Sequence, residues 1–240
     1  MGWDIALNIS AVNPQRRRHT NNMAYSREFS VCRLCIMIRI AACAPRRTIA
    51  APQLALDDTR RAIEVGRLLE AEGIAHYEEP CPYWKLDETK QVTDALELDV
   101  TGGEQDWDLG TWARMIEMRA VDVVQPDVMY MGGIGRTLKV ARLAQAAGLP
   151  CTPHSANLSL VTLCTMHLLG ALPNAGKYLE LSIEGPDYYP WQEGLFVADP
   201  YVVRDGHVII PSAPGWGVEI NPDWLKSATY QCSDRLVSST

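Results

Sequence analysis

The sequence lacks three features, and each absence excludes a class of protein. No apolar run reaches the length of a membrane span, which argues against an integral membrane protein. The seven cysteines, an odd number, show no repeated spacing, so a secreted disulfide framework is excluded and a reducing, cytoplasmic compartment is favoured. A basic excess is also missing: 22 Lys and Arg face 29 Asp and Glu, giving a net charge of −7. This balance argues against a general nucleic-acid binder and leaves small molecules or metal ions as expected partners.

Lysine is absent from the first 50 residues, which differ in charge from the rest of the chain. They hold eight arginines and only two acids, Asp4 and Glu28, whereas residues 51–240 hold 14 basic and 27 acidic residues. We therefore predict three parts. Residues 1–50 form an atypical Arg-rich segment, residues 51–190 carry the chemistry, and residues 191–240 form a C-terminal hairpin and tail packed beside them.

A regular alternation of helical and strand-like patterns begins near residue 59. The patterns predict helices over 59–72, 87–98, 109–119, 136–147 and 158–171, and strands over 74–79, 100–104, 121–125 and 177–181. Strands that alternate with helices indicate an α/β fold with a parallel sheet and helical crossovers. A further hairpin is predicted over 201–210, with its turn at Asp205-Gly206.

Polar residues close the predicted strands at nearly constant intervals. They are Glu78, Glu104, Asp127, His154 and Glu180, separated by 26, 23, 27 and 26 residues. A barrel of repeated β/α units spends roughly 25 to 35 residues per unit and carries its chemistry at the carboxyl ends of its strands. An open, doubly wound sheet would instead concentrate its ligand groups at one switch point. Five such residues in succession therefore favour the barrel.

The types of these residues suggest metal binding and proton transfer. Glu78 and Glu104 offer the carboxylate oxygens that Mg²⁺ prefers. A carboxylate such as Asp127, bonded to one nitrogen of His154, would leave the other nitrogen free to take or give a proton. Glu180, if protonated, could donate a hydrogen bond to a substrate carboxylate or enolate. Solvated loops, helix caps and surface ion pairs use the same residue types, so the pattern alone leaves both interpretations open.

Five short motifs together resemble a known family, the mandelate racemase/muconate lactonizing enzyme branch of the enolase superfamily. They are Tyr77-Glu78-Glu79-Pro80, Gly102-Gly103-Glu104, Gln125-Pro126-Asp127, Pro153-His154-Ser155 and Tyr178-Leu179-Glu180. Their order and spacing match the barrel portion of that family, and the similarity covers roughly residues 60–222.

The resemblance implies a TIM-type (β/α)₇β barrel, a separate α+β capping domain, bound Mg²⁺ and a carboxylate substrate. Members of the family abstract the proton α to that carboxylate. Carried over motif by motif, Glu78 and Glu104 would be two of three metal ligands, and His154 with Asp127 would be the base. Glu180 would assist at the substrate carboxylate.

The sequence also departs from the family pattern. The third metal ligand of the family, an aspartate, would fall at about Pro52, and proline cannot bind a metal. Asp57 and Asp58 lie nearby, but we expect them at the start of the first helix rather than at the strand end. An earlier lysine pair and most of the capping domain are missing as well. We therefore expect an incomplete barrel.

These observations rank the possible functions. Without a lysine opposite His154, a two-base racemisation lacks its second base, whereas dehydration needs one proton removed and one hydroxyl expelled. We therefore favour dehydration of an acid sugar. A racemase or epimerase of a hydroxy acid is an alternative, and so is a catalytically impaired fragment or pseudoenzyme of the same family. A complete barrel of this kind is expected to form a homo-oligomer.

Overall fold

The computed structural model describes residues 58–182, 187–204 and 206–229, together with the backbone of three strands ahead of them. The strands are β1 (Asp4–Ser10), β2 (Met37–Ile38), β3 (Ile49–Ala51), β4 (His76–Glu78), β5 (Asp99–Gly102), β6 (Val123–Val124), β7 (Tyr178–Leu181), β8 (Val203–Arg204) and β9 (His207–Ile209). The helices are α1 (Thr59–Ala71), α2 (Leu86–Ala95), α3 (Leu109–Glu117), α4 (Ile134–Ala146), α5 (Leu160–Ala171) and α6 (Pro222–Ser227), with a 3₁₀ turn at Pro190–Gln192.

Followed from one strand to the next, the pairing leads back to the strand at which it began. Strands β3, β4, β5 and β6 are parallel neighbours in that order. Single parallel bridges then join Val124 to Cys151 and Cys151 to Ala175, just ahead of β7. Strand β7 pairs in parallel with β1, and β2 lies antiparallel between β1 and β3. The crossover helices and parallel strands are those of a barrel-like α/β domain, as the alternating pattern predicted.

The segment ahead of residue 50 contributes two strands to this sheet. Strands β1 and β2 lie between β7 and β3 in the order of pairing, so the expected gap in the barrel is not confirmed. The antiparallel pairing of β2 is a departure from the all-parallel pattern of repeated β/α units. The division of the chain into residues 1–50 and residues 51–190 stays a prediction.

Helix boundaries follow local signals in the sequence. The side chain of Asp58 accepts a hydrogen bond from the backbone of Arg60 and begins α1, and Asp108 does the same for Thr111 at the start of α3. Gly148, with φ at +73°, follows the end of α4. The five predicted helices therefore lie within three residues of the observed bounds.

The main core lies between the parallel strands and helices α1 to α4. Val92, Val100, Trp112 and Val124 have no exposed surface there. Strand β6 consists of two buried valines, as expected where a parallel strand is covered on both faces. Among the described residues, no helix is both long and apolar enough to cross a bilayer.

The C-terminal part joins the sheet through β9, which pairs antiparallel with β1. Strands β8 and β9 form the predicted hairpin, shorter than expected, and Val208 of β9 joins a second apolar cluster with Leu179 and Met166. Helix α6 lies in the predicted C-terminal tail, where no helix was predicted from the sequence. Pro222 occupies its first turn, and the side chain of Asn221 accepts a hydrogen bond from the backbone of Asp223. These are standard signals for a helix start, and the sequence carries them.

Candidate active site

Three carboxylates from separate strand ends surround one imidazole at the carboxyl edge of the sheet. The Nδ1 atom of His154 lies 2.8 Å from Oδ2 of Asp127. Its Nε2 atom lies 2.9 Å from Oε2 of Glu104 and 3.4 Å from Oε2 of Glu180. Only 7% of the surface of His154 is exposed. The structure thus brings together groups that are up to 76 residues apart in the chain, because parallel strands end at the same edge.

Asp127 is fixed in place by the turn that follows β6. Its Oδ1 atom accepts hydrogen bonds from the backbone N–H groups of Met129 (2.6 Å) and Tyr130 (3.1 Å). This leaves Oδ2 directed at His154. One carboxylate therefore both closes a local turn and orients the imidazole, which is how a tautomer is commonly selected.

Glu180 is held by the residue that follows the histidine. The hydroxyl of Ser155 donates to the backbone carbonyl of Glu180 at 2.9 Å, and its backbone N–H donates to Oε2 of the same residue at 3.3 Å. Ser155 has no exposed surface. The sequence did not predict these contacts between Ser155 and Glu180, because the only available signal is a small hydroxyl residue after a strand-end histidine.

Glu78 is the most deeply buried of the candidate metal ligands. It is 5% exposed, and its Oε1 atom has no hydrogen-bond partner among the described residues. Burial raises the pKa of Glu78 well above its ordinary value, and the charges of Glu180 and Glu104 raise it further. A cavity of about 300 Å³ is lined by Glu78, Gln125 and Glu180, among others. A buried acceptor without a donor is unfavourable unless another group compensates it.

The carboxylates also change the protonation of their neighbours. Burial by itself would lower the pKa of His154, but the charge of Glu180 and hydrogen bonds to Asp127 and Glu104 outweigh it and raise the pKa to about 12. Burial likewise raises the pKa of Glu180, against the lowering effect of His154. With these carboxylates uncompensated, the imidazole is therefore held as a cation at neutral pH.

The donor atoms here fit a hard divalent cation. Glu78 and Glu104 both offer carboxylate oxygens, and a cation would compensate the unpartnered oxygen of Glu78. The described residues nevertheless contain no set of three His, Cys, Asp or Glu side chains placed to hold a metal. Pro52 and Asp57, on which the expectation of a third ligand depended, lie outside the described residues. Asp58 caps α1, as the sequence suggested.

The other two described histidines near this region make different contacts. His76 lies inside the sheet, with its ring at an edge-to-face distance of 5.1 Å from Tyr178 and its Nδ1 3.7 Å from Asp99. His167 contacts the backbone carbonyl of Trp216 at 3.0 Å. His76 nevertheless lines the same cavity as Glu78 and Glu180.

Comparison with known proteins identifies relatives for most of this chain. The family model described as "Enolase C-terminal domain-like" matches residues 41–224. The arabinonate dehydratase of Saccharolobus solfataricus is 30% identical over 171 residues, which are 71% of this chain and 44% of that protein. The D-xylonate dehydratase of Haloferax volcanii is 29% identical over 151 residues, or 35% of its length. The chain therefore spans less than half the length of the curated relatives it matches.

Solved structures agree with this relationship. A Roseobacter denitrificans protein, assigned provisionally as a racemase, is 70% identical with a TM-score of 0.70, over 72% of this chain and 47% of that one. The L-talarate dehydratase of Polaromonas sp. JS666, crystallised with Mg and L-glucarate, is 26% identical with a TM-score of 0.59, over 74% of this chain and 45% of that one.

Proposed function

The chain belongs to the enolase C-terminal domain-like family, and on that premise we propose that it catalyses Mg²⁺-dependent removal of the proton α to a carboxylate. The substrate we propose is an acid sugar, which loses water. The names of several relatives support this class, since arabinonate, D-xylonate and L-rhamnonate dehydratases are among them.

A single observation carries the proposal, namely the position of His154. Its Nδ1 is bound by Asp127 at 2.8 Å, so Nε2 is the nitrogen that faces Glu104 and Glu180. A base must lie within hydrogen-bonding reach of the proton it removes, and an imidazole oriented by a carboxylate meets that requirement. We assign His154 as the base, Asp127 as its orienting partner and Glu180 as the group beside the substrate carboxylate.

The proposed reaction balances without an oxidant or reductant. His154 in its neutral form, which a cation offsetting the charge of the carboxylates would favour, takes the proton from the carbon next to the carboxylate. The electron pair of that C–H bond forms a C=C bond to the next carbon. The hydroxyl on that next carbon leaves and takes a proton from His154, so water is lost and the histidine is restored. The enol product then becomes a 2-oxo-3-deoxy acid.

Glu78 and Glu104 would hold the cation in this scheme. Mg²⁺ bound there would offset both their own charge and the negative charge that develops on the substrate carboxylate. The buried, unpartnered oxygen of Glu78 supports this assignment, since burying it without a cation or donor is costly.

The experiment that tests the proposal is thermal unfolding of the 240-residue chain with and without millimolar Mg²⁺. A ligand that binds only the folded protein raises its stability by RT ln(1 + [L]/Kd). We expect an upward shift of the midpoint that Glu78→Gln and Glu104→Gln abolish. A panel of five- and six-carbon sugar acids then follows, with the 2-oxo acid product detected as its semicarbazone. His154→Asn should remove product formation while keeping the Mg²⁺ shift.

Two other outcomes would select the alternatives. Exchange of the α hydrogen with deuterated water, without loss of water from the substrate, would favour a racemase or epimerase. No response to Mg²⁺ would favour an impaired fragment. The observation that favours this alternative is that the described part of the chain holds no set of three side chains placed to bind a metal.

A further inference from the structure

We infer that Glu79 is a positioning residue that fixes the turn carrying Glu104, the candidate metal ligand that also contacts His154. The inference rests on the proposed function, because its consequence is the strength of cation binding at Glu78 and Glu104. Glu79 follows Glu78 directly in the chain. Although strongly polar, it is only 4% exposed.

The side chain of Glu79 contacts the residue before Glu104 and the residue after it. Its Oε1 accepts from the backbone N–H of Gly103 at 3.4 Å, and its Oε2 accepts from Nε2 of Gln105 at 3.5 Å. Gly103 and Gln105 are the two chain neighbours of Glu104. The backbone N–H of Glu79 also donates to the carbonyl of Thr101 at 2.9 Å, which ties the ends of β4 and β5 together.

The backbone of Glu79 adopts a conformation that a non-glycine residue rarely takes. Its φ is +39°, in the left-handed region. Outside glycine, asparagine and aspartate, such a conformation persists only where the surroundings enforce it, and it clusters at functional sites. Here the twist turns the side chain away from the sheet interior occupied by Glu78 and toward the end of β5.

The two glycines of the Gly102-Gly103-Glu104 motif are explained by the same arrangement. A Cβ atom on Gly102 would lie 3.1 Å from Cγ of Glu79, closer than most real contacts. A Cβ on Gly103, where φ is +105°, would lie 2.3 Å from the ring of Trp112. The turn before Glu104 therefore runs in a narrow gap between Glu79 and Trp112, which restricts where the carboxylate of Glu104 can lie.

A matched pair of substitutions separates positioning from charge. Glu79→Asn and Glu79→Gln both remove the charge, but the asparagine side chain is one methylene shorter and cannot reach Gly103. Asparagine also tolerates the left-handed backbone. We expect Glu79→Asn to raise the Mg²⁺ dissociation constant about 10–100-fold, the usual effect of losing a group that orients a metal ligand. The Mg²⁺ affinity of Glu79→Gln should fall by less, because glutamine keeps an oxygen within reach of Gly103.

The measurement is the Mg²⁺ dissociation constant by titration calorimetry, with the unfolding midpoint in the absence of Mg²⁺ recorded for every variant. Glu117→Ala removes a carboxylate from an exposed position on α3 and should leave the constant unchanged. Leu69→Ala destabilises the core of α1 and should lower the midpoint without changing the constant. Gln105→Met removes one donor without altering the strained residue, and should weaken Mg²⁺ binding by a smaller factor.

The outcomes distinguish this inference from the function on which it rests. If the wild-type chain does not bind Mg²⁺, the proposed function and the inference fail together. If wild type binds Mg²⁺ and Glu79→Asn binds it equally well, only the inference fails. Equal losses in Glu79→Asn and Glu79→Gln would show an effect of charge and would also overturn it. If Glu79→Asn does not fold, the test passes to Gln105→Met, and an unchanged Mg²⁺ dissociation constant in that variant would overturn the inference.

Discussion

The apolar core and the carboxyl edge of the sheet bury opposite kinds of side chain. Behind the sheet, Val92, Val100 and Trp112 are completely buried in an apolar cluster. At the carboxyl edge of the same strands, Glu78 and Asp127 are almost as deeply buried, with exposures of 5% and 3%. Burial stabilises the first group and penalises the second, because apolar surface gains by leaving water and charged groups do not.

This difference suggests that the core stabilises the fold and that the edge is arranged to bind a ligand or a cation. At the edge, burial raises the pKa of Glu78 and the like charges of Glu180 and Glu104 raise it further, an arrangement that a bound cation would relieve. Burial of the apolar cluster must therefore offset the free-energy cost of burying the carboxylates at the edge. Sites are commonly less stable than the scaffold that carries them. The following substitutions test the comparison, from the largest expected effect to the smallest.

Trp112→Ala should give the largest loss of stability. The indole is fully buried, and its Nε1 donates to the carbonyl of Asp106 at 3.2 Å. We expect a loss of about 3–5 kcal/mol in the free energy of unfolding, measured by urea denaturation. Trp84→Ala is the matched control, because that side chain is 67% exposed and its removal should change stability by at most ~0.5 kcal/mol. Similar losses in both variants would contradict the comparison.

Gly103→Ala should destabilise the point where the two regions meet. Its φ of +105° and the 2.3 Å approach of a Cβ to Trp112 combine strain with overpacking, so we expect a loss of about 2 kcal/mol. Gly135→Ala, in the first turn of α4, has no atom within 4 Å of the new Cβ and should stabilise the protein by a few tenths of a kcal/mol, up to ~1. Urea titrations of the two variants should therefore shift in opposite directions.

Glu78→Gln should stabilise the protein in the absence of a cation, by about 1 kcal/mol, because it removes a buried charge whose Oε1 lacks a partner. The pKa of Glu78 is raised in the folded state, so folding favours its protonated form. The stability this provides is present at acid pH and is lost as the pH rises through the raised pKa. The wild-type chain should therefore lose more stability than Glu78→Gln between pH 4 and pH 7, as followed by unfolding midpoints without Mg²⁺. Equal pH profiles would contradict this.

The ion pair between Arg114 and Asp87 should contribute least. The two groups are 2.9 Å apart, but 60% and 75% of their side-chain surface is exposed. We expect a coupling energy of at most ~0.5 kcal/mol from the double-mutant cycle of Asp87→Ala and Arg114→Ala, and a smaller value at high salt. A coupling well above 1 kcal/mol would mean that exposed charges matter as much here as the buried ones.

Much of the layout of this protein follows from local patterns in the sequence. The apolar stripe of residues 59–72 predicts α1, observed at Thr59–Ala71. The acid that closes each buried strand predicts where Glu78 and Glu104 lie along the sheet. Such signals are local, because helix and strand periods and caps depend on residues a few positions apart. The roles of these residues in catalysis and metal binding stay predictions.

Other features depend on contacts between distant segments, and sequence reasoning missed them. The pairing of β1 with β7 and the place of β2 beside β3 could not be predicted from an Arg-rich segment without a family pattern. The enclosure of Glu104 by Glu79 was also missed, because a second glutamate in a motif gives no indication of a left-handed backbone.

The sequence by itself determined which residues end the strands and in what order, since that order is set by local periodicity and by the spacing of the β/α units. Only the tertiary structure decided which of these side chains touch. Asp127 binds Nδ1 of His154, and Glu104 and Glu180 face Nε2, because neighbouring strand ends lie a few ångströms apart once the sheet is paired. Such distances come from contacts made across the whole chain, and a one-dimensional pattern does not contain them.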